Sequence, residues 1–176
     1  MLRVAREIEP TGDYRPVEDG DLSQFNSAAY DLVLSAFTFD NIPTMQRKVD
    51  LFAELGRLLK REGRIVNVVS SPEIYTHEWA SFSTENFPEN RNARSGDTVK
   101  IVVTDTEDKR PFEDILWTDE AYREVYGRAG LGLVDTYRPL ARGNEPYAWV
   151  NETKIPPWVI YVLRSAEEPR AGSGQG

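Results

Sequence analysis

The sequence contains no cysteine and a single histidine, His77. Without thiols there is no disulfide framework, no thiolate nucleophile and no thiolate metal site. One histidine with no cysteine also leaves the usual zinc ligand sets unfilled. No apolar run approaches the roughly 18 residues that a membrane helix needs, and residues 1–9 lack the apolar stretch of a signal peptide. Positive charge is scarce as well. Lys and Arg number 21 against 29 Asp and Glu, a net charge of −8 with no basic cluster. Phosphate backbones and anionic membrane surfaces need a positive face, so neither nucleic acid nor membrane is an expected partner. A Gly-x-Ser-x-Gly elbow and a Gly-x-Gly-x-x-Gly turn are both missing, which removes support for a hydrolase triad and for nicotinamide binding. The cytoplasm is the expected compartment.

What is present is an ordinary globular composition. With 40% hydrophobic residues in 176, the chain can build one domain with a real core over residues 1–164. Leu2, Val4, Ala5 and Ile8 recur at near-helical spacing, as in the last turns of a helix ended near Pro10 and Gly12. The stretch YDLVLS, residues 30–35, reads as a strand apolar on both faces, which implies a parallel sheet covered on two sides. Met45, Val49, Phe52, Leu55, Leu58 and Leu59 mark a helix over 44–62, capped by Thr44 and stopped by Gly63. RIVNVVS, residues 64–70, follows as a second buried strand. Strand, crossover helix and strand make a parallel, right-handed unit.

Residues 71–117 read as an insertion. The part over 71–97 is polar, aromatic and poorly periodic, the character of a lid or binding loop. Residues 98–104 and 112–117 pair as a hairpin. A helix over 119–129, capped by Thr118 and ended by Gly130, leads to strands over 132–140 and 158–164. The tail from 165 on is Gly-, Ser- and charge-rich and is expected to be disordered. Alternating strands and helices give an α/β sheet, whose ligands bind outside the carboxyl ends of the parallel strands. The loops after Ser35 and Ser70 therefore lie at the functional edge.

The order of these segments resembles the class I S-adenosylmethionine-dependent methyltransferases. MLRVARE is similar to the end of that family's second helix, and VEDGDLSQF to the acidic turn after its third strand. YDLVLSAFTFDNIP resembles the fourth-strand segment, LLKREGRIVNVV the glycine turn and fifth strand, and WTDEAYREVYGRAGLGLVDTYRPL the last helix and sixth strand. PPWVIYVLR resembles the final antiparallel strand. The resemblance implies a Rossmann-like, doubly wound, mostly parallel sheet with an antiparallel last strand. It also implies S-adenosylmethionine as cofactor and a small molecule as methyl acceptor. By the same resemblance Asp19, Gly20, Asp21 and Leu22 form the adenine turn, with Asp21 taking the adenine amino group. Ser35, Ala36 and Phe37 line the cofactor cleft. The family's glycine-rich first turn and its ribose-binding acid are missing. The expectation is an N-terminally truncated reading frame in which Met1 is an internal methionine.

Methyl transfer to an acceptor needs positioning more than dense catalytic machinery, since the leaving group is already activated. A base is needed only where the nucleophile must lose a proton, and His77 is the candidate, with an ordinary surface histidine as the alternative. Asp40, Asn41, Tyr75, Trp79, Tyr147 and Trp149 are candidates for the acceptor pocket, with Phe82, Phe87 and Glu152 nearby. Each has a plain structural alternative. Asp21 serves equally as a turn acid, Asp40 and Asn41 as a helix entry before Pro43, and the aromatics as anchors for the insertion. A non-catalytic interaction module on the same fold is the alternative for the whole chain.

Overall fold

The computed structural model describes residues 2–166. Most of the tail expected to be disordered, from residue 167 on, lies outside the described residues. In chain order the first elements are α1 (Leu2–Ile8), β1 (Tyr30–Ala36), α2 (Met45–Leu58) and β2 (Leu59–Ser70). Next come β3 (Phe82–Ser83), β4 (Thr98–Val103) and β5 (Phe112–Ile115), then α3 (Asp119–Arg128), β6 (Leu131–Tyr137) and β7 (Trp158–Ser165).

The main sheet has the order β1-β2-β7-β6. β1 and β2 are parallel, in register from Leu32 opposite Arg64 to Ala36 opposite Val68. β7 is antiparallel to both of its neighbours. β6 therefore points the same way as β1 and β2, and the last strand alone is reversed. This is the α/β, Rossmann-like arrangement expected from the sequence. It brings the carboxyl ends of β1, β2 and β6 to one edge.

α2 is the crossover between the parallel pair. Thr44 caps it, its Oγ1 accepting from the Arg47 amide at 3.2 Å, and Val49 and Phe52 bury its inner face. The helix ends four residues earlier than its spacing predicts. Lys60, Arg61 and Glu62 are good helix formers, yet the chain enters β2 at Leu59, opposite Tyr30. Pairing with β1 outweighs local propensity here. Gly63, expected to stop the helix, instead lies inside β2. A side chain there would meet the Tyr30 carbonyl at 2.9 Å, beside the register shift between Tyr30 and Leu32.

Both long helices cover one face of the sheet. Val49 and Phe52 of α2 and Tyr122, Val125 and Tyr126 of α3 pack on Ile65, Val69, Val159, Tyr161 and Leu163. β1 is not covered on both faces as its apolar run suggested. Leu32 is 58% and Leu34 65% exposed. The reason is topological: among the described residues β1 pairs only with β2, so it is an edge strand, and Leu32 and Leu34 point away from the helices.

The inserted segment builds a second, antiparallel sheet, β3-β4-β5. The expected hairpin is present, with Val99 opposite Asp114 and Ile101 opposite Phe112. Ile74, Tyr75, Trp79, Val99, Ile101 and Leu116 form its own core. α3 starts at the predicted cap, with Thr118 Oγ1 accepting from the Ala121 amide at 3.4 Å. It is followed by Gly130 at φ +73°, a conformation open to glycine. The second sheet docks on the first where the Ile115 amide donates to the Asp40 carbonyl at 3.1 Å.

Candidate functional site

The loop leaving β1 separates two cavities. On one side runs a groove of about 650 Å³ along β1, floored by α2 and edged by the turn at residues 18–21. Val33, Ser35, Thr38, Asp19, Gly20 and Arg47 are among the residues that line it. The turn closes with the Asp21 amide donating to the Glu18 carbonyl at 2.8 Å. Its central residues, Asp19 and Gly20, have φ of 46° and 73°, the backbone of a type I′ turn. A side chain at Gly20 would lie 2.2 Å from Leu51 Cδ2, so glycine lets the turn rest on α2. Leu22 faces the groove beside it.

Asp21 behaves as a turn acid. It is exposed, and its Oδ1 accepts from the Ser23 amide at 2.8 Å, a bond that holds its carboxyl below the usual range. Asp19, rather than Asp21, lines the groove.

Ser35 is the informative residue of the groove wall. It is buried, and among the described residues its hydroxyl has no hydrogen-bond partner. An unpaired buried hydroxyl costs about 1–3 kcal/mol, and the residue that carries this one lines the groove. Ala36 follows, exposed at the strand end. Phe37 then takes φ 55°, the left-handed region that a bulky residue rarely adopts. Its amide stays tied to the Val68 carbonyl at 2.9 Å. The reversal turns the Phe37 ring out of the groove and edge-on to Trp158, with centroids 5.7 Å apart.

Phe37 and Trp158 belong to the second cavity, a smaller space of about 200 Å³ between the two sheets. Its polar lining is Asp40, Asn41, Ser70, Tyr75 and Asp114. Asp40 is 5% exposed. Its Oδ2 accepts from the Ser70 amide at 3.1 Å and the Ser70 hydroxyl at 3.0 Å, and Oδ1 from the Tyr122 hydroxyl at 3.4 Å. Burial raises its pKa despite these bonds. The Tyr75 hydroxyl donates to Asp114 Oδ2 at 3.1 Å. Burial, then repulsion from Asp40, raises the pKa of Asp114 also.

Behind Asp40 lies Lys48, fully buried on the inner face of α2. Its ammonium donates to the Phe39 carbonyl and sits 4.8 Å from the Trp117 ring centroid and 5.1 Å from that of Tyr122. Burial brings its pKa down to about 7, against the pull of Asp40.

The remaining sequence candidates are spread over two further spaces. Trp79, Tyr147 and Trp149 line a third cavity of about 490 Å³, which shares Phe82 and Trp158 with the small cavity. Tyr147 packs against Trp149 with ring centroids 4.9 Å apart and planes tilted by 40°, while the Trp79 indole is buried and donates to the Ile74 carbonyl at 2.8 Å. Glu152 accepts from the amides of Val150 and Asn151 in its own loop and from that of Ala80 in the inserted segment. His77 lines a fourth cavity with Phe87, and its Nδ1 lies 3.1 Å from both the Glu73 carbonyl and the Thr76 hydroxyl. It borders neither the groove nor the small cavity.

Arg47, Lys48, Ser70, Asp114 and Tyr122 were not singled out from sequence, though two carried a signal. Lys48 occupies the helical stripe of Met45, Val49 and Phe52. Asp114 occupies the strand face of Phe112 and Leu116. A charge on an otherwise apolar stripe marks a buried ionisable group.

No protein-family model matches the chain, and no curated protein matches its sequence. Solved structures do match. A methyltransferase dependent on S-adenosylmethionine from Methanosarcina mazei aligns over 95% of this chain and 78% of its own, with TM-score 0.60 and 11% identity. A second, from Mesorhizobium loti, aligns over 93% and 75%, with TM-score 0.62 and 16% identity. A third is the 1,6-didemethyltoxoflavin-N1-methyltransferase of Burkholderia thailandensis, solved with its substrate and S-adenosylhomocysteine. It aligns over 94% of this chain and 56% of its own, with TM-score 0.51 and 12% identity. The fold is that of the class I S-adenosylmethionine-dependent methyltransferases. Within that methyltransferase fold, the groove and the small cavity both open where the parallel strands end, the place where α/β sheets bind ligands.

Proposed function

We propose that this chain holds S-adenosylmethionine in the groove beside β1 and presents it to a small acceptor seated in the adjoining cavity. The observation that carries the reading is the placement on the groove wall of Ser35, whose buried hydroxyl is unpartnered among the described residues, a few residues before the loop crosses to the small cavity. Asp19, Gly20 and Leu22 contact the nucleoside in this reading, with Asp21 holding their turn. Ser35 donates to the ligand, Ala36 and Phe37 form the divide, and Arg47 supplies the groove's positive charge. When bound, the cofactor supplies a methyl group on an already activated sulfonium. The protein's own work is then to orient the acceptor and exclude water. Asp40, Asn41 and Tyr75 do this in the small cavity, and the aromatics Trp79, Tyr147 and Trp149 extend it outward.

Among the described residues, the edge of β1 away from β2 has no strand partner. The same open edge, with Leu32 and Leu34 exposed, favours a second reading in which the chain is a non-catalytic module that binds through this face. Calorimetric titration with S-adenosylhomocysteine separates the two. A one-site isotherm supports the methyltransferase reading. No heat from a chain with an intact circular-dichroism spectrum supports the module.

A further inference from the structure

The small cavity has a chemistry of its own. Its walls are apolar and aromatic: Phe37, Phe82, Phe112 and Trp158, with Ile74 and Ile101. Against them stand two carboxylates, Asp40 and Asp114, that repel one another. They are not equivalent. Asp40 has three donors of its own and Lys48 behind it. Asp114 is met by the Tyr75 hydroxyl and the Asn41 side chain, and Asp40 acts on it by repulsion. A carboxylate has about four lone-pair sites, so acceptor capacity is left over on Asp114. A buried negative charge without a cation is unfavourable. A ligand cation would relieve it and would also be drawn to the ring faces.

We infer that this cavity binds a small amine, its ammonium group held by Asp114 with Tyr75 and Asn41, and its apolar body lying against Phe37, Phe112 and Trp158. The inference rests on the methyltransferase reading for its purpose, since an amine here would be the methyl acceptor, but not for its test. Size agrees with it. A volume of about 200 Å³ holds roughly six to eight non-hydrogen atoms at the ~30 Å³ that each water takes in the liquid. Phe82 and Trp158 also line the cavity of Tyr147 and Trp149. Before its lone pair is available, an ammonium must shed one proton. Burial raises the proton affinity of Asp114, and one of its carboxylate oxygens is the natural recipient.

Benzylamine, benzyl alcohol and benzoate share a ring and differ in the charge of the head group, so they serve as probes. Each is titrated at neutral pH into the whole chain and followed by calorimetry and by amide chemical shifts. The inference predicts benzylamine at least tenfold tighter than benzyl alcohol, no benzoate binding, and shifts at Tyr75, Phe112 and Asp114. Asp114→Asn is expected to bring benzylamine down to the affinity of the alcohol. Equal affinities for the three, tighter benzoate, or shifts confined to other cavities would overturn it. Should Asp114→Asn fail to fold, the wild-type ranking decides alone, and Tyr75→Phe, which keeps the ring, is expected to weaken benzylamine at least threefold. Binding of S-adenosylhomocysteine without amine preference sinks this inference and leaves the methyltransferase reading standing. Amine preference without S-adenosylhomocysteine binding does the reverse.

Discussion

Asp40 and Ser70 are joined twice, the Asp40 Oδ2 accepting from both the amide and the hydroxyl of Ser70 at 3.1 and 3.0 Å. The pair ties the loop after β1 to the carboxyl end of β2 at the wall of the small cavity. Ser70→Ala loses the hydroxyl bond and keeps the amide bond, at an expected cost of about 1 kcal/mol. Asp40→Ala loses both, and the bond from the Tyr122 hydroxyl as well, at about 2–3 kcal/mol. Urea unfolding measures the two. Equal costs would show that the carboxylate does not hold the loop.

Lys48 gives stability a pH dependence of known sign. Its pKa is about 7 in the folded chain against the ordinary 10.5. Between those values the unfolded chain binds the proton and the folded chain does not. Stability therefore rises with pH from about 7 upward, by at most about 1.4 kcal/mol per unit. Lys48→Met is expected to flatten that rise when denaturant midpoints are compared at pH 7 and 9. A variant with the wild-type slope would place the titrating group elsewhere.

Ser35 separates a structural role from a binding role. Its hydroxyl is unpartnered among the described residues, so Ser35→Ala is expected to be neutral or to stabilise slightly, within about 1 kcal/mol. The same change is expected to weaken S-adenosylhomocysteine at least threefold. Loss of stability with unchanged affinity would contradict the assignment of this hydroxyl to a ligand.

Gly20 sets the height of the turn over α2. Gly20→Ala meets both a φ of 73° and a clash at 2.2 Å with Leu51, and should cost about 1–2 kcal/mol. Leu51→Ala opens the space and leaves the backbone strain, so the double variant should recover part of the loss. Strict additivity of the two costs would mean that the turn does not rest on Leu51.

Those residues also show how far the sequence could be read. The parallel pair was legible because Tyr30–Ala36 and residues 64–70 are apolar runs joined by a capped helix, and both signals are local. The end of α2 was not, because Leu59 pairs with Tyr30, a contact 29 residues away that overrides the helical bias of Lys60, Arg61 and Glu62. The exposure of Leu32 and Leu34 depends on which face of the sheet the helices cover, and no local pattern carries that. In the acidic turn, the resemblance named both Asp19 and Asp21; Asp19 lines the groove, and Asp21 accepts from the Ser23 amide within the turn. Asp114 reaches the small cavity only because β5 pairs with β4 and the second sheet then docks on Asp40, two steps of tertiary structure beyond periodicity.

The central claim is that the groove between β1, α2 and the 18–21 turn is the cofactor site. Amide chemical-shift mapping with S-adenosylhomocysteine tests it most directly. The account predicts saturable shifts at Gly20, Leu22, Ser35 and Thr38, with His77 and Phe87 unmoved. Saturable shifts centred on the His77 cavity, or none at ligand concentrations that leave the fold intact, would contradict it.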